Sequence, residues 1–123
     1  KLDTYSTDIA GDTVKFNQMS NIIGEKKDAY DRFTNEEYYP LLEKMGVSIA
    51  GEWEVLIGDG PRLLCEGRVS DVGNLILNLQ GARFRKGKKK LKNYIDKYES
   101  RILAFHIRKV KGYKSASYQI VRG

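Results

Sequence analysis

Apolar and polar residues alternate most clearly from Gly51 to Val69, GEWEVLIGDGPRLLCEGRV, with Trp53, Val55, Ile57, Leu63, Cys65 and Val69 at odd positions and Glu52, Glu54, Glu66 and Arg68 at even ones. A period of two predicts a strand hairpin with one dry face. Pairing odd with odd residues requires an odd loop, which favours Asp59-Gly60-Pro61 as a three-residue connection. Ile57 then faces Leu63, Val55 faces Cys65, and Trp53 lies opposite Gly67 as a core residue. On the other face Glu52 meets Arg68, and Glu54 meets Glu66.

Upstream, Val14 and Phe16 alternate with Lys15 and Asn17, predicting a strand from Thr13 to Ile22. Tyr30, Phe33, Tyr38, Leu41, Leu42 and Met45 recur at helical spacing, so 25–45 reads as an amphipathic helix that Pro40 kinks and Gly46 stops. Downstream, Ser70 or Asp71 can cap a short helix carrying Val72, Leu75, Ile76 and Leu79, which Gly81 interrupts. Phe84, Leu91, Ile95 and Tyr98 form one stripe and predict a second helix from Ala82 to Tyr98, with Gly87 on that stripe. A strand from Arg101 to Val110, a turn at Lys111-Gly112 and a last strand from Tyr113 to Val121 complete the chain.

Strand, helix, strand, strand, helix, strand, plus one more strand, is the ferredoxin-like order. The fold class expected is α+β: an antiparallel sheet with helices on one face, occupying 13–110, preceded by an arm at 1–12 and followed by a strand extension at 111–123. Helices cover one face only. The other, lined by Glu52, Glu54, Leu56, Leu64, Glu66 and Arg68 and by His106 and Arg108 of the late strand, must meet solvent, a ligand or a second subunit.

Composition narrows the chemistry. The 123 residues include one cysteine and one histidine, so neither an intramolecular disulfide nor a multi-histidine or thiolate metal site can form within one protomer. Cys65 on the dry face reads as a small core residue, compatible with a reducing, cytoplasmic setting. No stretch is apolar for long enough to span a bilayer, and none near the start has the pattern of a secretory signal. The net charge of +6 resides in Arg83–Arg101, where nine basic residues meet Asp96 and Glu99. Nucleic acid is the partner such a charge suggests, but no reader motif accompanies it, and lysines around an apolar stripe are what a solvated helix face needs. GDGPR leads into a strand rather than a helix, so it lacks the amide cluster of a phosphate loop.

The segments YYPLLEKMGV, GEWEVLIGDGPRLL and ARFRKGKKKLKNYIDKYESRIL together resemble the NIPSNAP-like branch of the dimeric alpha-beta barrel superfamily, whose relatives include antibiotic-biosynthesis monooxygenases and EthD-like proteins. The match runs from about Thr13 to Leu103, and the tail and the density of the basic run depart from it. The resemblance implies a homodimer whose sheets pack face to face around a cavity for a small, partly apolar organic molecule, with no cofactor. In such a barrel Glu54 and Glu66, two carboxylates at close range, would split their proton affinities and supply an acid and a base, with Arg68 on an anionic oxygen and Leu56 and Leu64 on the apolar part. His106 is a third catalytic candidate, without a partner in sequence, and a poorer one for haem. Cofactor-free chemistry of monooxygenase or proton-transfer type, a noncatalytic binding or scaffold module, and a basic-helix nucleic-acid binder remain in that order.

Overall fold

The computed structural model describes residues 14–107 and 119–121. The expected arm, Arg108 and the Lys111-Gly112 turn lie outside them. Strand β1 (Val14–Ile22) leads through a 3-10 turn into helix α1 (Lys27–Phe33), a π-helical turn (Thr34–Tyr38) and helix α2 (Tyr39–Lys44). Strands β2 (Val47–Glu54) and β3 (Leu63–Val69), helices α3 (Val72–Leu79) and α4 (Ala82–Leu91), and strands β4 (Ile95–Ile107) and β5 (Gln119–Val121) follow. The antiparallel sheet has the order β2-β3-β1-β4-β5. This is the ferredoxin-like arrangement, with β5 added beside β4.

Local chemistry accounts for the boundaries. Pro40 has no N–H to donate, and the helix absorbs the missing bond as the π-helical turn immediately before it, so the expected kink is a change of winding. Gly46, at φ +90°, ends α2 in a conformation that other residues resist. The Asp71 side chain accepts from the Asn74 N–H at 2.9 Å and caps α3. Gly87 lets α4 approach α2: a Cβ there would lie 2.5 Å from Leu41 Cδ2.

One core joins sheet to helices. Val14 and Phe16 of β1, Val47 of β2 and Val69 of β3 pack with Tyr30, Phe33, Tyr38, Leu42, Leu75, Phe84 and Leu91. The alternating residues Lys15, Asn17 and Met19 are left on the uncovered face, with their cross-strand neighbours Arg68, Glu66 and Leu64 on β3 and Leu103, Arg101 and Glu99 on β4.

Two bulges correct the sequence reading. Between Ile49 and Gly51, β2 advances two residues while β3 advances one. The extra residue turns over the rest of β2, because side chains alternate strictly and one inserted residue swaps the faces. Trp53 therefore lies opposite Leu64, on the uncovered face and 60% exposed, instead of in the core. Glu52 pairs with Cys65 and Glu54 with Leu63, so Glu54 and Glu66 do not face each other. The hairpin connection is longer than three residues: the Val55 N–H donates to the Arg62 carbonyl at 2.7 Å, closing a loop over 56–61.

The second bulge lies in β4. Met19 pairs with Glu99 and Asn21 with Asp96, leaving one residue over in β4, beside Lys97 at φ +54°. Ile95 and Tyr98, three apart, thereby share the covered face of a strand and mimic helical spacing. Helix α4 accordingly stops at Leu91. The faces of β4 are also reversed from expectation: Ala104 pairs with the buried Val14, and Leu103 with Lys15 of the uncovered face.

Candidate functional site

On the uncovered face, the sheet and its side chains form a hollow of about 170 Å³ lined by Asn17, Met19, Leu64, Arg101 and Leu103. Three of these are apolar and come from three different strands. Asn17 and Arg101 are cross-strand neighbours at its polar side. The Asn17 Oδ1 is buried and has no hydrogen-bond partner among the described residues. Arg101 lies 3.7 Å from the Glu99 carboxylate, and both side chains are about half exposed, 56% and 48%. That separation exceeds a hydrogen bond, so the pair binds weakly.

Beside the hollow, Glu66 is the centre of a small polar group. Lys15 Nζ lies 2.5 Å from one carboxylate oxygen, and the Trp53 indole N–H donates to the other at 3.1 Å. Lys15 first, with help from Trp53 and Arg68, holds the Glu66 carboxyl below the usual carboxylate range. Glu66 is thus ionised near neutrality, and its oxygens are already engaged by its neighbours.

The covered face holds a second polar array, which the sequence did not announce. Tyr30 and Tyr39 both donate to one oxygen of Glu52, Tyr30 at 3.3 Å, and the Cys65 thiol donates to the Tyr39 oxygen at 3.6 Å. Tyr38 and Tyr98 both donate to Gln18 Oε1, Tyr98 at 2.9 Å. Burial pushes all four phenols up, and it pushes the Cys65 thiol up to about 11, so all five groups are neutral at physiological pH. The space between them is about 10 Å³, enough for a single water. The buried Gln18 Oε1 is met by two donors, as a satisfied core requires, and the exposed Glu52 carboxylate receives two at its margin.

The expected site residues therefore separate. Glu66, Leu64 and Arg68 lie on the uncovered face as expected. Glu54 is exposed at the end of β2 opposite Leu63, and Leu56, 79% exposed, sits in the hairpin loop. The backbone of His106 pairs with Ile120 in β4 and β5, and its side chain lies outside the described residues. Asn17, Arg101 and Trp53 join the site instead. No group of three potential metal ligands occurs among the described residues, and no described helix is long and apolar enough to cross a membrane.

The basic helix is partly committed to its own fold. Lys88 and Lys92 sit 5.1 and 5.9 Å from the centre of the Tyr98 ring, and Lys90 lies 2.6 Å from a Glu37 oxygen and 5.6 Å from the Phe33 ring centre. These lysines cover aromatic surface while their charges reach solvent.

Comparison with solved structures supports the same fold. A NIPSNAP family protein from Agrobacterium tumefaciens aligns over 73% of this chain and 90% of its own, at 17% identity and a TM-score of 0.54. An uncharacterized NIPSNAP domain protein from Burkholderia xenovorans aligns over 74% and 91%, at 13% identity and a TM-score of 0.54. No family model matches the sequence, and no curated protein matches it significantly. At these identities the likeness establishes a NIPSNAP-like ferredoxin-like fold.

Proposed function

We propose that two copies of this chain pack their uncovered sheet faces together, and that the hollow between Leu64 and Leu103 becomes a cavity for a small, partly apolar organic molecule. The observation that carries the reading is the position of Trp53. A tryptophan 60% exposed on a sheet face, across from Leu64 and next to an apolar hollow, is surface that water solvates poorly and a second layer would bury. The resemblance of the hairpin and helix segments to dimeric barrel proteins leads to the same arrangement.

Binding is the core of this function, and chemistry on the bound molecule is an extension of it. Of the carboxylates first considered, Glu66 is the one on this face, with Arg68 beside it. Its two neighbours hold it as an anion, which suits charge stabilisation better than proton donation. A noncatalytic binding module is the second reading, favoured by how fully Lys15 and Trp53 occupy that carboxylate. Sedimentation equilibrium and native mass spectrometry test the proposal together. A dimer that carries a co-purified small molecule, with Trp53→Ala shifted toward monomer and losing it, is the expected result. A wild-type protein that stays monomeric and empty at every concentration overturns it.

A further inference from the structure

We propose that helices α3 and α4 form a membrane-contact surface, on which Ile76 and Leu77 enter the headgroup layer of a bilayer and the bases of α4 hold its anionic lipids. Both helices lie on the side of the sheet away from the hollow. The inference is therefore independent of the ligand reading and of the sheet-to-sheet dimer.

The first observation is a surface helix without a charge. In α3 (VGNLILNL), Leu75 is fully buried, and Val72 and Leu79 pack against the core beside it. Leu77 and Ile76 turn away from that side and are 71% and 47% exposed. The two polar side chains of the helix, Asn74 and Asn78, are hydrogen-bonded to each other at 2.9 Å. A helix that is apolar all round is ordinarily buried, so α3 shows water a surface suited to a drier medium.

The second observation is charge of a single sign. From Val72 to Ile95 the chain has seven Lys or Arg and no Asp or Glu. A face that needs only solubility mixes both signs. Phe84 and Leu91 are buried and Gly87 lies against Leu41, so helical spacing turns Lys86 and Lys89 away from the core. Both are exposed, and among the described residues no carboxylate pairs with Arg83, Arg85, Lys86 or Lys89. Two carboxylates border the unit. Glu37 takes Lys90, and Asp71 is spent on the N–H of Asn74.

The joint brings the two features together. Only Gln80 and Gly81 separate the helices, and the Gly81 N–H donates to the Asn78 carbonyl at 3.0 Å. The Arg85 guanidinium reaches back and donates to the Gln80 carbonyl at 2.9 Å. A cation is thereby fixed about one helical turn along the chain from Leu77.

A lipid surface uses both features at once, with alkyl side chains at the headgroup boundary and cations on the phosphates. A nucleic acid would engage the bases of α4 and leave Ile76 and Leu77 without a partner. It would also find no exposed aromatic ring between Val72 and Ile95 on which to stack a base. The helices lie on such a surface and do not cross it.

The test is cosedimentation of the purified full chain with two kinds of vesicle: phosphatidylcholine alone, and equal parts phosphatidylcholine and phosphatidylglycerol. The protein is expected to pellet with the anionic vesicles, to ignore the neutral ones, and to be released as salt rises. Lys86→Ala combined with Lys89→Ala should weaken binding about twentyfold, at about fivefold for each cation. Leu77→Ala should weaken it about tenfold at the same charge. All three positions are exposed, so thermal unfolding of the variants should match that of the unaltered protein. No pelleting with anionic vesicles at low salt overturns the proposal, as does equal pelleting with both kinds. Binding that Leu77→Ala leaves unchanged also overturns it, because the contact would then be charge alone. A single-stranded RNA oligonucleotide that binds more tightly than the anionic vesicles in the same buffer would assign the surface to nucleic acid instead.

Discussion

The two faces of this sheet are built from the same strands and finished in opposite ways. Beneath the helices the buried Gln18 is supplied with partners by the chain, receiving Tyr38 and Tyr98, and at the margin the exposed Glu52 receives Tyr30 and Tyr39. On the uncovered face the hollow and the exposed Trp53 remain. A face completed internally states what holds the fold together. A face left incomplete states what the fold is prepared to meet.

The comparison is broken most forcefully by truncating a leucine on each side. Leu75 and Leu42 are fully buried, so Leu75→Ala or Leu42→Ala should cost about 2 to 5 kcal/mol, read as a drop in Tm or in the denaturant midpoint. Leu64→Ala, on the uncovered face of the same molecule, should cost less than about 1 kcal/mol in the monomer and act on association and ligand binding instead. Equal losses at Leu64 and Leu75 would erase the distinction. Gly67→Ala comes next. Its Cβ would lie 2.5 Å from Val47 Cγ1 and 3.0 Å from the Phe16 carbonyl oxygen, a backbone atom that cannot swing aside. A loss of about 1 to 3 kcal/mol is expected, checked by urea unfolding.

How much of this was legible in the letters depends on where the strands are regular. β1 and β3 alternate without interruption through their shared pairing, and the sides assigned to Phe16, Cys65, Glu66 and Val69 hold. The ferredoxin-like order followed from the succession of periods. What the letters hid were the bulges. One extra residue in β2 moved Trp53 out of the core and turned Glu52, still exposed, to the helix side of the sheet, and one in β4 gave Ile95 and Tyr98 a helical spacing inside a strand. A bulge is decided largely by long-range pairing, and its one local mark in β2 is Gly51, so periodicity read across it goes wrong on one side. The site divides in the same way. Leu64, Glu66 and Arg68 were placed on the uncovered face because β3 is regular. Asn17 was within reach, as a polar alternate on a strand whose other face is apolar. Arg101 was not, since its side depends on the slip at Lys97.

A smaller test concerns the polar array under the helices. Tyr38→Phe removes one of two donors to Gln18 Oε1 but leaves Tyr98, so about 0.5 to 1.5 kcal/mol should be lost in thermal unfolding. Tyr38→Phe combined with Tyr98→Phe strands a buried acceptor and should cost more than the sum of the two single changes. An additive pair would mean that water already serves Gln18. In the same array, the Cys65 thiol at about 11 should react slowly with alkylating reagents at neutral pH and faster only as denaturant opens the core.

The smallest effect belongs to Glu66. Its carboxyl is held below the ordinary range in the folded protein, chiefly by Lys15, so the unfolded chain takes up its proton at higher pH than the folded one. The stability this group contributes is therefore complete above the usual carboxylate range, near pH 4.5, and disappears as pH falls through the lower folded value. The pair is partly exposed, with side-chain accessibilities of 35% and 17%, which limits the contribution to about 1 kcal/mol or less. Glu66→Gln should flatten the acid limb of the stability curve by that amount while leaving neutral-pH folding intact. The same step has a local reporter, because the Trp53 indole N–H donates to this carboxylate. Trp53 emission should titrate with Glu66 in the unaltered protein and stay flat across that range in the variant. A titration that survives the substitution would place the responsible group elsewhere and detach Trp53 from the charged edge of the hollow.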